Sequence, residues 1–294
     1  MEIARGCGRG CRFCQPNLRL LRSRPIPDII EEVKVNLEEG AKSICLHAED
    51  VLRYGAYGPI PDEEKVLKLF REVLRYTPHV GISHFAFASV VSKPRLIARL
   101  TELLDGAGSG APWYSGQVGI ETASPELVRR YMPGKPLPFK PEEWPEVVIR
   151  AHEILTDNRW VPCSTLIAGL PGETAQDVEL TIELVERLRE VKSLIVPLFF
   201  VPIGQLREGH FFLREHMRPE HWKLLAVSVQ HNFRWVDELV REHLHNRTQR
   251  FFIKQVVLRA FRRWLKEPLK LLSLIHISEP TRPRLISYAV FCLK

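Results

Sequence analysis

Residues 7–14 read Cys7-Gly8-Arg9-Gly10-Cys11-Arg12-Phe13-Cys14 and place three cysteines within eight residues. Thiolates are the usual ligands of iron–sulfur clusters, and tight spacing lets one loop wrap around such a cluster. Three thiolates would leave one iron of a four-iron cluster without a protein ligand, and an open metal position indicates chemistry. The stretch therefore predicts a metal or redox centre close to the start of the chain.

Two other chemistries fit parts of this pattern. A structural zinc site would need a fourth Cys or His nearby, and residues 1–24 contain none, so His47 would have to fold back. A reactive thiol pair at Cys11 and Cys14 would leave Cys7 unexplained. Three unrelated core cysteines are disfavoured, because glycines and arginines separate them.

The composition bounds the class of protein. The 294 residues are 45% hydrophobic and 26% charged, which is typical of a globular protein with a sizeable core. No apolar run is long enough to cross a bilayer, and Glu2 and Arg5 interrupt any signal peptide. Six cysteines are too few for a disulfide scaffold, so we expect a cytoplasmic protein in a reducing compartment without a membrane partner.

Alternation of short apolar runs and amphipathic stretches predicts an α/β fold. Strands are expected at residues 3–4, 43–46, 80–87, 117–121, 161–168 and 194–201, with helices between them. The helices are expected at 25–39, 61–75, 94–104 and 174–190, and from Ser124 and Pro141. This period favours parallel βα units that close as a barrel or a partial barrel, with ligand sites after the strand ends.

The chain changes character after Gly204. Residues 206–294 contain 17 Lys and Arg against 8 Asp and Glu, whereas the rest contains 25 against 27. We expect an α/β domain over 1–205, a basic α-helical extension over 206–272, and a non-native or disordered tail over 273–294. The basic stretch 250–266 is expected to be the solvated side of a packing helix. A solvated face is also expected for the histidines of this part: His210, His216, His221, His231, His243 and His245.

Four motifs together resemble the radical S-adenosylmethionine (SAM) superfamily. The first is the cysteine loop with Phe13 before its third cysteine. The others are Cys45-Leu-His-Ala-Glu-Asp50, Val118-Gly-Ile-Glu-Thr-Ala-Ser-Pro-Glu-Leu-Val-Arg-Arg-Tyr-Met132 and Ile167-Ala-Gly-Leu-Pro-Gly-Glu-Thr174. The second motif lacks the two glycines usual in the family. The last two are similar to segments of the methylthiotransferase-like and cobalamin-dependent branches.

The resemblance covers about residues 1–205 and implies a six-unit (βα)6 partial TIM barrel. It implies a [4Fe-4S] cluster on Cys7, Cys11 and Cys14, with SAM as the second cofactor. One electron, from a donor such as a flavodoxin or ferredoxin, would cleave SAM and generate a 5′-deoxyadenosyl radical. This radical would modify a substrate that the motifs do not identify, with methylation as one candidate reaction. The cofactor supplies the difficult chemistry, and the protein orients it.

Roles for single residues follow from the matched motifs. Phe13 would lie beside adenine, Ala48 or Glu49 would meet the SAM amino group, and Glu121 would reach the ribose or the amino group. Ile167 and Gly169 would lie on either side of adenine. Each has a plainer alternative: Glu121 could cap the helix near Ser124, Gly169 could only form a turn, and Ile167 could be core.

The remaining cysteines and Lys135 are expected to have no part in the site. Cys45 and Cys163 lie in predicted strands, where isolated cysteines behave as small buried hydrophobes, and Cys292 stands alone in the tail. Lys135 lies in a loop rich in Pro and Gly, where a lysine is usually solvated. A carboxylate partner for Lys135 is the less favoured interpretation.

The branch of the superfamily determines the reaction. Cobalamin-dependent members usually carry a cobalamin domain before the barrel, and the cysteine loop starts here at residue 7. Cobalamin would therefore be used only if a missing domain or a separate chain supplied it. The alternative enzyme is a methylthiotransferase-like RNA-modifying enzyme, whose nucleic acid would meet the basic C-terminal helices. A non-catalytic zinc-binding scaffold is the alternative of another class.

Overall fold

The computed structural model describes residues 1–15, 18, 20–243 and 263. Short strands alternate with helices along this part of the chain. The strands are β1 (Ala4–Arg5), β2 (Arg22–Ser23), β3 (Ile44–Leu46), β4 (Val80–Ile82), β5 (Tyr114–Glu121), β6 (Trp160–Ala168) and β7 (Leu194–Phe199). The helices are α1 (Ile26–Glu38), α2 (Glu63–Leu74), α3 (Phe87–Ser92), α4 (Pro94–Gly106), α5 (Pro125–Tyr131), α6 (Trp144–Asp157), α7 (Ala175–Arg187) and α8 (Pro219–His243).

The strands that follow α1 pair in parallel and in chain order. β3 pairs with β4, and β5, β6 and β7 form a three-stranded sheet in which Cys163 lies opposite both Gln117 and Leu194. Isolated parallel bridges join Glu2 to His47 and His84 to Gln117, which continues the same alignment on both sides of the β3–β4 pair. The carboxyl ends of these strands therefore lie along one edge, where parallel α/β folds place their ligand sites.

The helices cover only one face of these strands. Ile44, Leu46, Val118 and Ile120 are buried in the core together with apolar residues of α1, α2, α4, α6 and α7. Side chains alternate across a strand, so the intervening residues lie on the opposite face. We call this opposite face the inner face. Its residues include Cys45, His47, His84, Gln117, Cys163, Thr165, Ile167, Val196 and Leu198.

The last described helix packs against α7 and covers the free edge of β7. The side-chain amide of Asn232 on α8 donates to the carbonyl of Ile195 at 2.8 Å, and its oxygen accepts from the Ile195 amide at 2.7 Å. A side chain thus supplies the hydrogen bonds that a neighbouring strand would make, which protects an edge that would otherwise be unpaired. The division between residues 205 and 206 stays a prediction.

Several local expectations were wrong. The strand expected over 80–87 ends at Ile82. The apolar run that begins at Phe87 forms the buried helix α3 (Phe87–Ser92) instead, because a short apolar run fits a buried helix as well as a strand. Cys45 is exposed rather than buried, since it points to the inner face. His221 and His231 are 1% and 4% exposed rather than solvated, because they lie on the buried side of α8 and contact Glu173 and Ser193.

Two further expectations concern the rest of the chain. Apart from residue 263, the stretch 250–266 lies outside the described residues, as do the segment 273–294 and Cys292. Within the described part, no helix is long and apolar enough to cross a membrane.

Candidate active site

The cysteine loop follows β1 at the carboxyl edge of the strands. Gly8 and Gly10 both have φ near +69°, a left-handed conformation that glycine adopts without strain. The amide of Cys14 donates to the carbonyl of Cys11 at 3.1 Å, which turns the loop back on itself. All three cysteines are free, and the thiol of Cys11 interacts electrostatically with those of Cys7 and Cys14.

The donor set of this loop fits a metal cluster. Burial raises the pKa of the Cys11 thiol to about 12 and also raises that of Cys14. Such thiols stay protonated until a metal ion displaces their protons. Among the described residues, no three Cys, His, Asp or Glu side chains lie close enough to hold a metal ion as they stand. Each thiolate of a four-iron cluster binds a different iron, so the three thiols of this loop need not meet at a single ion.

Arg9 anchors the cysteine loop to the body of the protein. Its side chain is 4% exposed and lies 3.4 Å from the fully buried carboxylate of Asp50. The same guanidinium nitrogen donates to Ser89 at 2.9 Å, and Ser89 in turn donates to Asp50 at 2.7 Å. The other terminal nitrogen donates to the carbonyls of Gly134, Lys135 and Leu137. This buried network ties the loop between Cys7 and Cys11 to two other segments.

The segment after β3 also contacts the cysteine loop. A carboxylate oxygen of Glu49 accepts from the backbone amide of Gly6 at 2.5 Å. Arg53 donates to the carbonyl of Cys7. Ala48 is fully buried, and both its amide and its carbonyl are hydrogen-bonded to the Ser83 hydroxyl. The structure thus brings Glu49, predicted from its motif, beside the first predicted ligand.

Glu121 lies at the end of β5 and forms an ion pair with Lys135. The ammonium nitrogen of Lys135 is 2.8 Å from Glu121 Oε1, and the Thr165 hydroxyl donates to Oε2 at 3.3 Å. Lys135 was expected to be solvated because of its loop. Its side chain is instead only 14% exposed. Burial acts to lower the pKa of Lys135, but the charge and hydrogen bond of Glu121, together with Cys11 and Cys7, outweigh burial and raise it. Ser124 caps α5, so the helix-cap alternative for Glu121 is wrong.

A glycine makes room for this ion pair. A Cβ atom placed on Gly119 would lie 1.8 Å from Glu121 Oε1 and 2.6 Å from Lys135 Nζ. Any side chain at position 119 would push the pair away. Glu121 itself has φ +66°, an unusual conformation for a residue with a side chain. Strained backbone is often found at functional sites, so this conformation supports a role for Glu121.

Two of the three predicted adenine residues, Phe13 and Ile167, lie in one apolar cluster. Phe13 and Ile167 are partly buried and pack against a buried group of four residues. The same cluster contains two further partly buried residues, Leu206 and Phe212, which follow β7 and which the motifs did not identify. The buried group consists of Leu127, Tyr131, Leu170 and Phe200.

The segment after β7 crosses the site and contacts the cysteine loop. The amide of Gln205 donates to the carbonyl of Arg12 at 2.8 Å, and a Cβ on Gly204 would lie 2.2 Å from the Cys14 carbonyl oxygen. The ring of Phe212 lies against Gly169, where a Cβ would come within 2.0 Å of it. The only sequence signal for this segment was Gly204 itself, a glycine placed directly after the last predicted strand.

A buried contact between Glu173 and His221 holds this segment in place. Glu173 accepts from the amide of Gly169 at 2.7 Å, and His221 Nε2 at the start of α8 lies 2.9 Å from the same carboxylate oxygen. The ring of Phe212 lies 4.9 Å from that of His221. The Gly169 turn, the aromatic residue and α8 are thus joined through one carboxylate.

Comparison with known proteins identifies the family. The family model described as the radical SAM superfamily matches residues 1–185. The chain belongs to the radical SAM superfamily. Members of this superfamily are enzymes that use a [4Fe-4S] cluster and SAM, so the predictions of family, enzyme class and cofactors are confirmed at this level. The prediction of a non-catalytic zinc scaffold loses its support.

Individual relatives share only part of their length with this chain. An uncharacterized protein of Methanopyrus kandleri is 30% identical over 220 residues, which are 71% of this chain and 39% of that protein. The ribosomal protein uS12 methylthiotransferase RimO of Leptospira biflexa is 27% identical over 199 residues, covering 67% of this chain and 41% of RimO. The chain thus spans about two fifths of the length of these curated relatives.

A solved structure supports the fold. The radical S-adenosylmethionine methyltransferase TsrM of Kitasatospora setae, with cobalamin and a [4Fe-4S] cluster bound, superposes with a TM-score of 0.50 at 15% identity. The match covers 70% of this chain and 38% of TsrM. The likeness confirms an α/β fold of the partial TIM-barrel type.

Proposed function

We propose that this chain is a six-unit (βα)6 barrel that cleaves SAM reductively and uses the resulting radical to modify a substrate. The observation that carries the proposal is the gathering of the cysteine loop, Glu49, Glu121 and the Phe13–Ile167 cluster at one edge of the parallel strands. The six units begin with the extended segment 1–5, which contains β1, and continue with β3 to β7. The first of these units is aligned with β3 by the Glu2–His47 bridge.

The proposed roles divide between metal binding and SAM binding. Cys7, Cys11 and Cys14 would hold the cluster, which supplies one electron that breaks SAM into methionine and a 5′-deoxyadenosyl radical. Glu121 and Lys135 would orient the polar end of SAM, because a paired carboxylate and ammonium offer both an acceptor and a donor. Phe13, Ile167 and Gly169 would contact adenine.

Glu49 would act on the cysteine loop as well as on SAM. Its carboxylate already accepts from the amide of Gly6, immediately before Cys7. A carboxylate has acceptor capacity for further donors, so Glu49 can hold the loop and still meet the SAM amino group. The backbone of Ala48 is occupied by Ser83, which favours Glu49 over Ala48 for this contact.

Partners of the longer protein are part of the proposal. An electron donor such as a flavodoxin or ferredoxin would deliver the electron in the cytoplasm. Cobalamin would take part only if another domain or chain supplied it. Relatives named for methylthiotransfer to ribosomal protein uS12 make sulfur or methyl transfer the second candidate reaction. The motifs also leave open a nucleic-acid substrate, which the basic residues beyond 206 would meet.

Metal and product analysis test this function. Anaerobic reconstitution should give about four irons per chain with acid-labile sulfide, and reduction in the presence of SAM should yield 5′-deoxyadenosine without added substrate. Replacing Cys7, Cys11 or Cys14 by Ala should remove the iron, whereas Cys45→Ala and Cys163→Ala should retain it. One zinc per chain, or equal iron loss in Cys163→Ala, would overturn the assignment.

A further inference from the structure

Three polar side chains lie side by side on the inner face, on neighbouring strands. His47 follows β3, His84 follows β4, and Gln117 lies within β5. The parallel bridge between His84 and Gln117 places these two residues in register, and the Gln117 amide donates to the Ser83 carbonyl at 2.7 Å. Since Ala48 and Glu49 come directly after His47, the three side chains form a layer next to the proposed SAM site.

This layer has hydrogen-bonding capacity that nothing in the described chain uses. The rings of His47 and His84 meet edge to face, with centroids 5.5 Å apart. The ring of His84 is hydrogen-bonded to the Gln117 side chain, but its Nδ1 atom is buried without any partner. His47 and Gln117 are exposed. A buried polar atom without a partner carries a free-energy cost that a bound ligand can remove.

The layer is polar, and burial favours the neutral form of the His84 ring within it. Burial, and then the charge of His47, lowers the pKa of His84 below its ordinary value, so its imidazole is neutral at pH 7. A neutral imidazole offers one donor and one acceptor, as does an amide side chain. Two acidic groups interact electrostatically with these histidines: Glu2, which is paired with Arg5, acts on His47, and Glu49 acts on His84. Acidic neighbours disfavour phosphate or carboxylate ligands.

Among the described residues of the inner face, no Lys or Arg is free to bind a phosphate. Of the inner-face residues named above, none is Lys or Arg, and Lys135 beside them is paired with Glu121. Phosphate recognition in proteins relies on Arg, Lys or clustered backbone amides. This part of the face therefore does not match a nucleic-acid backbone.

The other half of the inner face is apolar. Val196 and Leu198 on β7 are 37% and 43% exposed, and Ile203 just after the strand is 38% exposed. Ile167 on β6 lies between them and the polar layer. A small ligand that spans this face would thus meet hydrogen-bonding groups at one end and aliphatic side chains at the other.

We propose that His47, His84 and Gln117 bind an uncharged, hydrogen-bonding group of the substrate, such as a carboxamide, while its apolar remainder lies against Val196 and Leu198. The inference rests on the proposed function, which places the radical beside this face. It deepens that function by naming the substrate as a neutral amphipathic molecule or side chain. A phosphorylated or nucleic-acid substrate does not fit the same groups.

Small probes of matched shape test the proposal on the cluster-loaded chain. The probes are benzamide, toluene and phenyl phosphate, and their binding is followed through the ring ¹³C shifts of His47 and His84. Benzamide should bind at least about tenfold more tightly than either of the others. His84→Phe and Gln117→Leu should each reduce benzamide to the level of toluene without weakening toluene, whereas His84→Gln should retain most of the preference.

The matched control is His79→Phe, a histidine that precedes β4 at the opposite end of the strand. It should change neither the preference nor substrate-free 5′-deoxyadenosine formation. The proposal would be overturned if phenyl phosphate bound most tightly of the three probes. It would also be overturned if the preference for benzamide survived both His84→Phe and Gln117→Leu. Failure of the unmodified chain to form 5′-deoxyadenosine would instead count against the proposed function, because probe binding does not depend on it.

Discussion

Lys135 and Glu121 form an ion pair across fourteen residues of sequence, with 2.8 Å between the ammonium nitrogen and the carboxylate oxygen. The pair sits above Gly119, at the end of β5, where only a glycine leaves space for it. Lys135 also interacts electrostatically with Cys11 and Cys7. A single buried pair thus links the β5 motif to the cysteine loop.

We expect Lys135→Met to destabilise the protein by about 3 kcal/mol or more, because a buried carboxylate would lose its partner. Urea unfolding measures the change. The control is Lys223→Met, which breaks the more exposed Lys223–Glu179 pair and should cost about 0–1 kcal/mol. Equal losses in the two variants would contradict a buried role for Lys135.

Glu121→Gln should weaken SAM binding while the cluster stays intact. The change keeps the shape of the side chain and removes its charge, so one charge-assisted hydrogen bond to SAM would be lost, at a cost on the order of 1–3 kcal/mol. Calorimetric titration with SAM measures this, and iron content verifies the cluster. An unchanged affinity together with lowered stability would remove Glu121 from the site.

Arg9→Met should impair both folding and cluster retention. The change leaves Asp50 buried and unpaired, and it removes the donors to three carbonyls of residues 134–137. The free energy of unfolding should therefore fall by about 3–5 kcal/mol. The matched control is Arg187→Met, which opens an exposed pair with Glu146. The iron content of both variants is measured after repeated gel filtration. If Arg9→Met kept as much iron as Arg187→Met, Arg9 would have no role in holding the loop.

Local sequence predicted those parts of the fold that depend on local pattern. The spacing of the cysteines, the positions of most strands and helices, and the order of the motifs all follow from near neighbours in the chain. Glu121 could be assigned to a strand end for the same reason. The apolar periodicity also showed which side of each helix faces the core, as for Val66 and Phe70 of α2.

Contacts between distant segments could not be predicted in this way. Lys135 sits in a loop that reads as solvated, and only the turn after α5 brings it back over β5. Phe212 and Leu206 have no motif, and the segment after β7 reaches Phe13 only once the barrel strands are assembled. His221 was expected in solvent because its partner, Glu173, lies forty-eight residues earlier.

Stability should fall as the pH drops from about 6.5 towards 4. Burial lowers the pKa of His152 from 6.5 to about 4, although the hydrogen bond from its Nδ1 to the Val148 carbonyl acts to raise it. Between these values the unfolded chain binds a proton that the folded chain does not, so stability is full above pH 6.5 and is lost below it. The loss reaches about 3 kcal/mol for one such group.

The slope of unfolding free energy against pH tests this prediction. His152→Gln should reduce the slope between pH 4.5 and 6.5 by about one proton. Burial also lowers the pKa of His231 to about 4. His231→Gln should therefore also reduce the slope of unfolding free energy against pH, and the double variant should reduce it further. A slope unchanged by either substitution would rule out these buried histidines as its source.

Phe212→Ala should weaken SAM binding, although Phe212 belongs to none of the motifs. Its ring lies against Gly169 and shares a cluster with Phe13 and Ile167, the residues proposed to contact adenine. Loss of an aromatic contact to a base costs about 1–3 kcal/mol, which is about 5-fold to 150-fold in affinity. Calorimetry should show weaker binding of SAM and 5′-methylthioadenosine but unchanged binding of methionine.

The neighbouring Phe211 is 56% exposed and lies outside the cluster, so Phe211→Ala is the matched control and should leave all three affinities unchanged. If Phe212→Ala weakened methionine as much as 5′-methylthioadenosine, the residue would support the site as a whole rather than its adenine side.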